Sequence, residues 1–180
     1  MKIVAIVGMN GSGKSEVAHI FEQNGFERIR FGDLTDKEVL RRGLEINEEN
    51  ERQIREQLRE EHGMAAYAKL NLPTIDATLQ QSNVVVDGLY SWEEYKLLKK
   101  YYGEDLCIIA VYSSPKTRQK RLPMRQVRSL TAEESAERDF NEIEHIGKGG
   151  PIAIADFTLI NESSMEDMQK ETERVIAVLA

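Results

Sequence analysis

The chain has 180 residues, 41% of them apolar and 31% charged, with a formal net charge of −7. That size suits one domain, residues 1–180, with a sizeable core and excludes two large ones, and the acidic balance makes nucleic acid an unexpected partner. No apolar run approaches the roughly 18 residues of a membrane helix, and Met1 leads straight into a strand with no room for a secretory signal, so no membrane partner and a cytoplasmic location are expected.

The first predicted element is a strand over Lys2–Val7, ending the apolar run Ile3-Val4-Ala5-Ile6-Val7. Gly8-Met9-Asn10-Gly11-Ser12-Gly13-Lys14-Ser15 follows and opens a helical stretch, the setting that a G-x-x-x-x-G-K-[ST] phosphate loop requires. Glycines allow φ > 0, so successive amides point into one concavity, and the helix start adds its own unpaired N–H groups. Gly8, Asn10, Gly11, Ser12, Gly13, Lys14 and Ser15 are therefore the expected binding residues for ATP. Lys14 supplies a charge to the β- and γ-phosphates, and the Ser15 hydroxyl is the expected Mg²⁺ ligand.

Further strands are predicted over Phe26–Phe31, Val84–Asp87, Leu106–Tyr112 and Phe157–Ile160, alternating with helical patterns. Most are continuously apolar, so both faces are buried, which implies an α/β fold with three layers, α/β/α, around a five-stranded parallel sheet. Ser91-x-x-Glu94, Thr131-x-x-Glu134 and Ser163-x-x-Glu166 read as capping boxes, and Ser114-Pro115 places proline at a helix start. The lone Cys107, inside an apolar run, is read as a buried thiol with no catalytic role.

Two segments interrupt the alternation. The first, 34–81, is a long helical insertion with Asn47 as a cap, Glu48/Arg52 and Glu51/Arg55 as (i, i+4) pairs, and a narrow apolar stripe at Ile54 and Leu58. Its charges read as a solvated surface. The second, 115–150, carries Arg118, Arg121, Arg125, Arg128 and Arg138, with a helix break expected near Leu122 ahead of Pro123. Arg118, Arg121 and Arg125 recur at spacings of three and four, so their guanidinium groups converge on one face or at a hinge, suited to the charge of a moving phosphoryl group. Arg121 and Arg125 are taken as catalytic candidates.

Two acidic residues close predicted strands. Asp87, after Val84-Val85-Val86 and before Gly88, emerges where open α/β sheets bind ligands, and reads as an Mg²⁺ ligand or as the start of a turn. Asp33, after Phe31-Gly32, reaches the same edge and is a catalytic candidate that orients or deprotonates the acceptor hydroxyl, ligates the metal, or caps the helix from Leu34. His19, His62 and His145 lack partners at metal-ligand spacing, and His62-Gly63 reads as a helix end.

With the phosphate loop, Gly32-Asp33-Leu34, Val86-Asp87-Gly88, the arginine-bearing segment and Ala155-Asp156-Phe157-Thr158-Leu159-Ile160-Asn161-Glu162-Ser163 in that order, the chain resembles the small P-loop kinases over nearly its whole length. It is most similar to the archaeal adenylate-kinase-related proteins near dephospho-coenzyme A kinase and the nucleoside monophosphate kinases. The resemblance implies a P-loop NTPase fold with an acceptor-binding helical insertion and a lid, and transfer of the ATP γ-phosphate to a small, nucleotide-like acceptor. It also implies that Asn161, Glu162 and Ser163 hold adenine, and that Arg41, Arg42 or Arg59 grips an acceptor phosphate. Leu89-Tyr90-Ser91 follows Asp87-Gly88 where relatives tend to carry an arginine, and a single Asp33 stands where dephospho-coenzyme A kinases carry Asp-x-Asp. Alternatives are a dephospho-coenzyme A kinase proper and a nucleotide-dependent switch or assembly-factor ATPase.

Overall fold

The computed structural model describes residues 1–125 and 129–179, so Arg128 lies outside the described residues. In chain order the elements are β1 (Ile3–Val7), α1 (Lys14–Gln23), β2 (Phe26–Arg30), α2 (Asp33–Arg41), α3 (Glu48–His62), α4 (Ala66–Leu79), β3 (Asn83–Asp87) and α5 (Trp92–Tyr102). There follow β4 (Leu106–Tyr112), α6 (Pro115–Arg121), α7 (Ala132–Glu144), α8 (Gly149–Ala153), β5 (Phe157–Ile160) and α9 (Met165–Leu179). The strands form one parallel sheet in the order β2-β3-β1-β4-β5.

Continuous apolarity has the expected cause. Ile3, Ala5, Val84, Val86 and Ile108 face the layer of α4 and α5, while Val4, Ile6, Val85 and Ile109 face α1 and α9. A buried Val or Ile contributes about 1.5–3 kcal/mol of transfer free energy, and all nine are at most 2% exposed, so the three central strands hold the layers together. The edge strand β2 has less to bury, and its Arg28 and Arg30 are only partly buried.

The Ser91/Glu94 and Thr131/Glu134 capping boxes form as predicted, and Ser114 caps α6 ahead of Pro115. Near the C-terminus the cap is one residue later than predicted: the Ser164 hydroxyl accepts the Asp167 amide, and Asp167 receives the Ser164 hydroxyl at 2.8 Å. Serine and aspartate are the shorter pair that closes the same ring of contacts. Helix α6 ends at Arg121 and a 3₁₀ turn carries Leu122–Met124, as Pro123 dictates.

The 34–81 insertion divides into three helices, and its surface character applies to only part of it. Helix α4 packs Ala66, Tyr67, Ala68 and Ile75 into the core, which the charges upstream had masked. Glu48 pairs with Arg55 at 2.6 Å and with Arg138 at 3.0 Å instead of with Arg52, which turns to Glu56. Tertiary proximity to α7 supplies a partner that local spacing does not.

Candidate phosphotransfer site

The loop between β1 and α1 is shaped by left-handed glycines. Gly11 and Gly13 have φ of +82° and +100°, and a Cβ on Gly13 would lie 2.2 Å from Asn161 Nδ2. Gly8 is excluded from bearing a side chain by contact alone, since its Cβ would sit 2.4 Å from the Val111 carbonyl oxygen. The Ser12 amide donates to the Met9 carbonyl at 3.2 Å, while among the described residues the amides of Gly11, Gly13, Lys14 and Ser15 have no protein acceptor. Four unmatched donors around one helix start form a cradle for an oxyanion. The Lys14 ammonium arches back to the Met9 carbonyl at 2.9 Å, and its pKa is pushed down to about 7 by burial and by Lys148, against the pull of Glu142 and Asp87.

The parallel register sets Ile6 beside Asp87, so the carboxylate closing β3 stands next to the loop that leaves β1. Asp87 is 4% exposed and its carboxylate accepts the Arg28 guanidinium from the neighbouring strand. A cavity of about 1020 Å³ opens at this edge, lined on its floor by Lys14, Ser15, Asp87 and Gly88. Among the described residues no group of three His, Cys, Asp or Glu side chains is placed to hold a metal. The Ser15 hydroxyl and Asp87 carboxylate are hard oxygen donors of the kind that fits Mg²⁺, an ion held by one or two protein oxygens together with substrate phosphates.

The helical insertion walls one side. Arg30, Thr35, Asp36, Arg55, Arg59 and Tyr67 line the cavity there. Arg59 lies over the Tyr67 ring at 5.4 Å, and its buried Nε has no hydrogen-bond partner among the described residues. Arg41 and Arg42 instead grip Glu38 at the surface, outside the cavity wall. Asp33 is the first residue of α2, with a half-exposed carboxylate bonded to Arg30 at 2.8 Å; it neither caps the helix nor lines the cavity, whereas Asp36, bonded to the same guanidinium at 2.7 Å, does line it.

The 115–150 segment walls the other side, and its arginines divide. Arg118 is buried, forks onto Asp139 at 2.9 and 2.7 Å and donates to the carbonyls of Asn10 and Ser113, each at 3.1 Å. Arg121 donates to Ser113 Oγ at 3.1 Å and to Asn161 Oδ1 at 3.3 Å, outside the cavity wall. Arg125 and Arg138 do line the cavity, Arg125 reaching Asn10 Oδ1 at 3.3 Å and Arg138 spanning from Glu142 to Glu48. Asn161 is buried behind the phosphate loop and donates to the Ser12 carbonyl at 2.9 Å. Glu162 accepts from the Ser114 amide and the Thr117 hydroxyl, and with Ser163 stays off the cavity wall.

Sequence reasoning missed Arg28, Tyr90, Glu142 and Lys148. The last three line the cavity. Their only linear signal is Gly147-Lys148-Gly149-Gly150, a lysine set among glycines.

A family model described as an AAA domain matches residues 4–147. The chain is 38% identical over 178 residues to UPF0200 protein TK1334 of Thermococcus kodakarensis, covering 97% of this chain and 96% of that protein. It is 40% identical over 178 residues to a UPF0200 protein of Aeropyrum pernix, covering 98% and 92%. Among solved structures it superposes on a gluconokinase from Sinorhizobium meliloti with a TM-score of 0.61 at 16% identity, covering 99% of this chain and 93% of that one. A shikimate kinase from Bacteroides thetaiotaomicron gives 0.61 at 12% identity, covering 99% and 98%. Phosphate-loop cradle, parallel sheet and full-length similarity together make this chain a member of the UPF0200 family, built on the AAA-domain, small-molecule P-loop kinase fold.

Proposed function

We propose that the chain is an Mg²⁺/ATP-dependent kinase that moves the γ-phosphoryl group to a small, nucleotide-like acceptor. One observation carries the reading: Gly13, Lys14 and Ser15 with their unmatched amides, Asp87, Arg125, Arg138 and Arg59 border a single cavity. Gly8 and Asn10 to Ser15 take the polyphosphate, with the base toward Arg121 and the Asn161–Ser163 loop, where Asn161 buttresses the curve from behind. Ser15 and Asp87 hold Mg²⁺, which neutralises phosphate charge when bound. Arg125 and Arg138 face the transferring group from the lid, and closure over it keeps water away. Arg59 offers its orphaned Nε to an acceptor anion, and Asp33 acts through Arg30, which it holds together with Asp36.

A docking role for the acidic helix α3, the alternative of a nucleotide-dependent switch, sits poorly with Glu48, Arg55 and Arg59 facing inward to the cavity. The test is to incubate the protein with ATP, Mg²⁺ and a panel of nucleosides, nucleotides and dephospho-coenzyme A, following ADP release and phosphorylated product. Acceptor-stimulated release is expected, abolished in Lys14→Ala and with raised KM in Arg59→Ala. Slow release indifferent to every acceptor overturns transfer in favour of the switch.

A further inference from the structure

Lys148 is 1% exposed, yet it lines the same cavity as Lys14, Ser15 and Asp87. Its Nζ donates to Glu142 Oε2 at 2.7 Å and stands 5.3 Å from the centroid of the Tyr90 ring. An ammonium carries three donors, and among the described residues Glu142 is its one hydrogen-bond acceptor. Two N–H groups are left for something else in a place sheltered from water. Leaving buried donors unmatched costs free energy, and on the wall of a cavity beside a phosphate cradle they suit an oxyanion.

The position is built, not incidental. Gly147 takes φ +61°, and the Trp92 amide donates to the Ile146 carbonyl at 3.1 Å, tying this turn to the start of α5. A Cβ on Gly150 would lie 2.6 Å from Trp92 Cε3, so the turn is pressed against the indole. Tyr90, which carries the ammonium on its face, lies flush against Gly88: a Cβ there would come within 2.9 Å of the Tyr90 hydroxyl. Lys148 is thereby held against Tyr90, on the wall of the cavity that Lys14 and Asp87 also line. Glu142 holds it there and is itself steadied by Arg138 Nε at 3.1 Å.

We propose that Lys148 is a second phosphate-binding ammonium, which gives its two remaining donors to the γ-phosphate oxygens from the lid side while Lys14 serves from the loop. This rests on the kinase reading above and extends it to a residue that comes from the α7–α8 turn.

Calorimetry with Mg²⁺ present separates the two, using ADP and the non-hydrolysable analogue AMP-PNP on wild type, Lys148→Met and Lys14→Ala. Lys148→Met is expected to weaken AMP-PNP by about tenfold or more, the worth of one charge-assisted hydrogen bond, with ADP affinity held within about threefold. Lys14→Ala weakens both. Equal effects of Lys148→Met on the two nucleotides, or none on either, would mean a purely structural lysine and overturn the proposal. A wild-type protein that binds neither nucleotide removes the kinase reading and this inference together. Thermal melting checks folding, and where Lys148→Met destabilises the chain by leaving buried Glu142 with Arg138 but without its ammonium, the Lys148→Met/Glu142→Gln double variant removes that charge and carries the same comparison.

Discussion

Arg118→Met separates scaffold from chemistry in the arginine-bearing 115–150 segment. The guanidinium is 4% exposed and makes four bonds: a fork onto Asp139 at 2.9 and 2.7 Å, and bonds to the Ser113 and Asn10 carbonyls at 3.1 Å. Removing one partner of a buried ion pair costs about 3–5 kcal/mol, chiefly because the survivor is stranded. Asp139, with 18% of its side chain exposed, recovers some hydration, which favours the lower end, about 3 kcal/mol. In a chain of this length that corresponds to a fall in Tm of roughly 6–12 °C. The assay is thermal unfolding of Arg118→Met, Asp139→Asn and the double variant, where the double should lose less than the sum of the singles because one interaction is deleted twice. If Arg118→Met melts within about 2 °C of wild type yet loses ADP release, the arginine touches substrate and its assignment as scaffold is wrong.

Two further outcomes follow from the same geometry. Gly13→Ala forces a Cβ to 2.2 Å from Asn161 Nδ2 at φ +100°, so nucleotide binding by calorimetry should vanish while circular dichroism stays native; full affinity in this variant would show that the loop does not hold phosphates. Glu94 is buried, accepts the Tyr90 and Ser91 amides at 2.8 and 3.2 Å, and leaves Oε1 without a hydrogen-bond partner among the described residues; burial pushes its carboxyl up to about 7. Between its ordinary value and about 7 the folded chain holds a proton that the unfolded chain has lost, so this group favours folding at low pH and the advantage is lost as pH rises, by up to roughly 3 kcal/mol. Denaturant melts from pH 4.5 to 8 should therefore show wild type losing ground to Glu94→Gln as pH rises, and parallel curves would refute the raised carboxyl.

Much of this molecule is written in short-range chemistry. The continuous apolar runs of β1, β3 and β4 demand helices on both faces, Ser91 and Thr131 announce their helices through caps, and the spacing from Gly8 to Ser15 specifies the phosphate cradle, because each rests on contacts within a few residues. Strand order has no such local signature. That β3 pairs with β1, bringing Asp87 to the loop, follows from how five strands and nine helices among the described residues best share one core. The fates of the arginines were likewise settled at long range: alike in sequence, they were sorted by whichever carboxylate or carbonyl folding brought near, Arg118 to Asp139 and Arg138 to Glu48. Beyond the glycines around it, Lys148 had nothing in its neighbours to mark it as buried, since its partners Glu142 and Tyr90 meet it only once the α7–α8 turn closes on Trp92. Local spacing determines which groups are on offer, while burial and charge pairing across distant segments determine which of them remain available to a ligand.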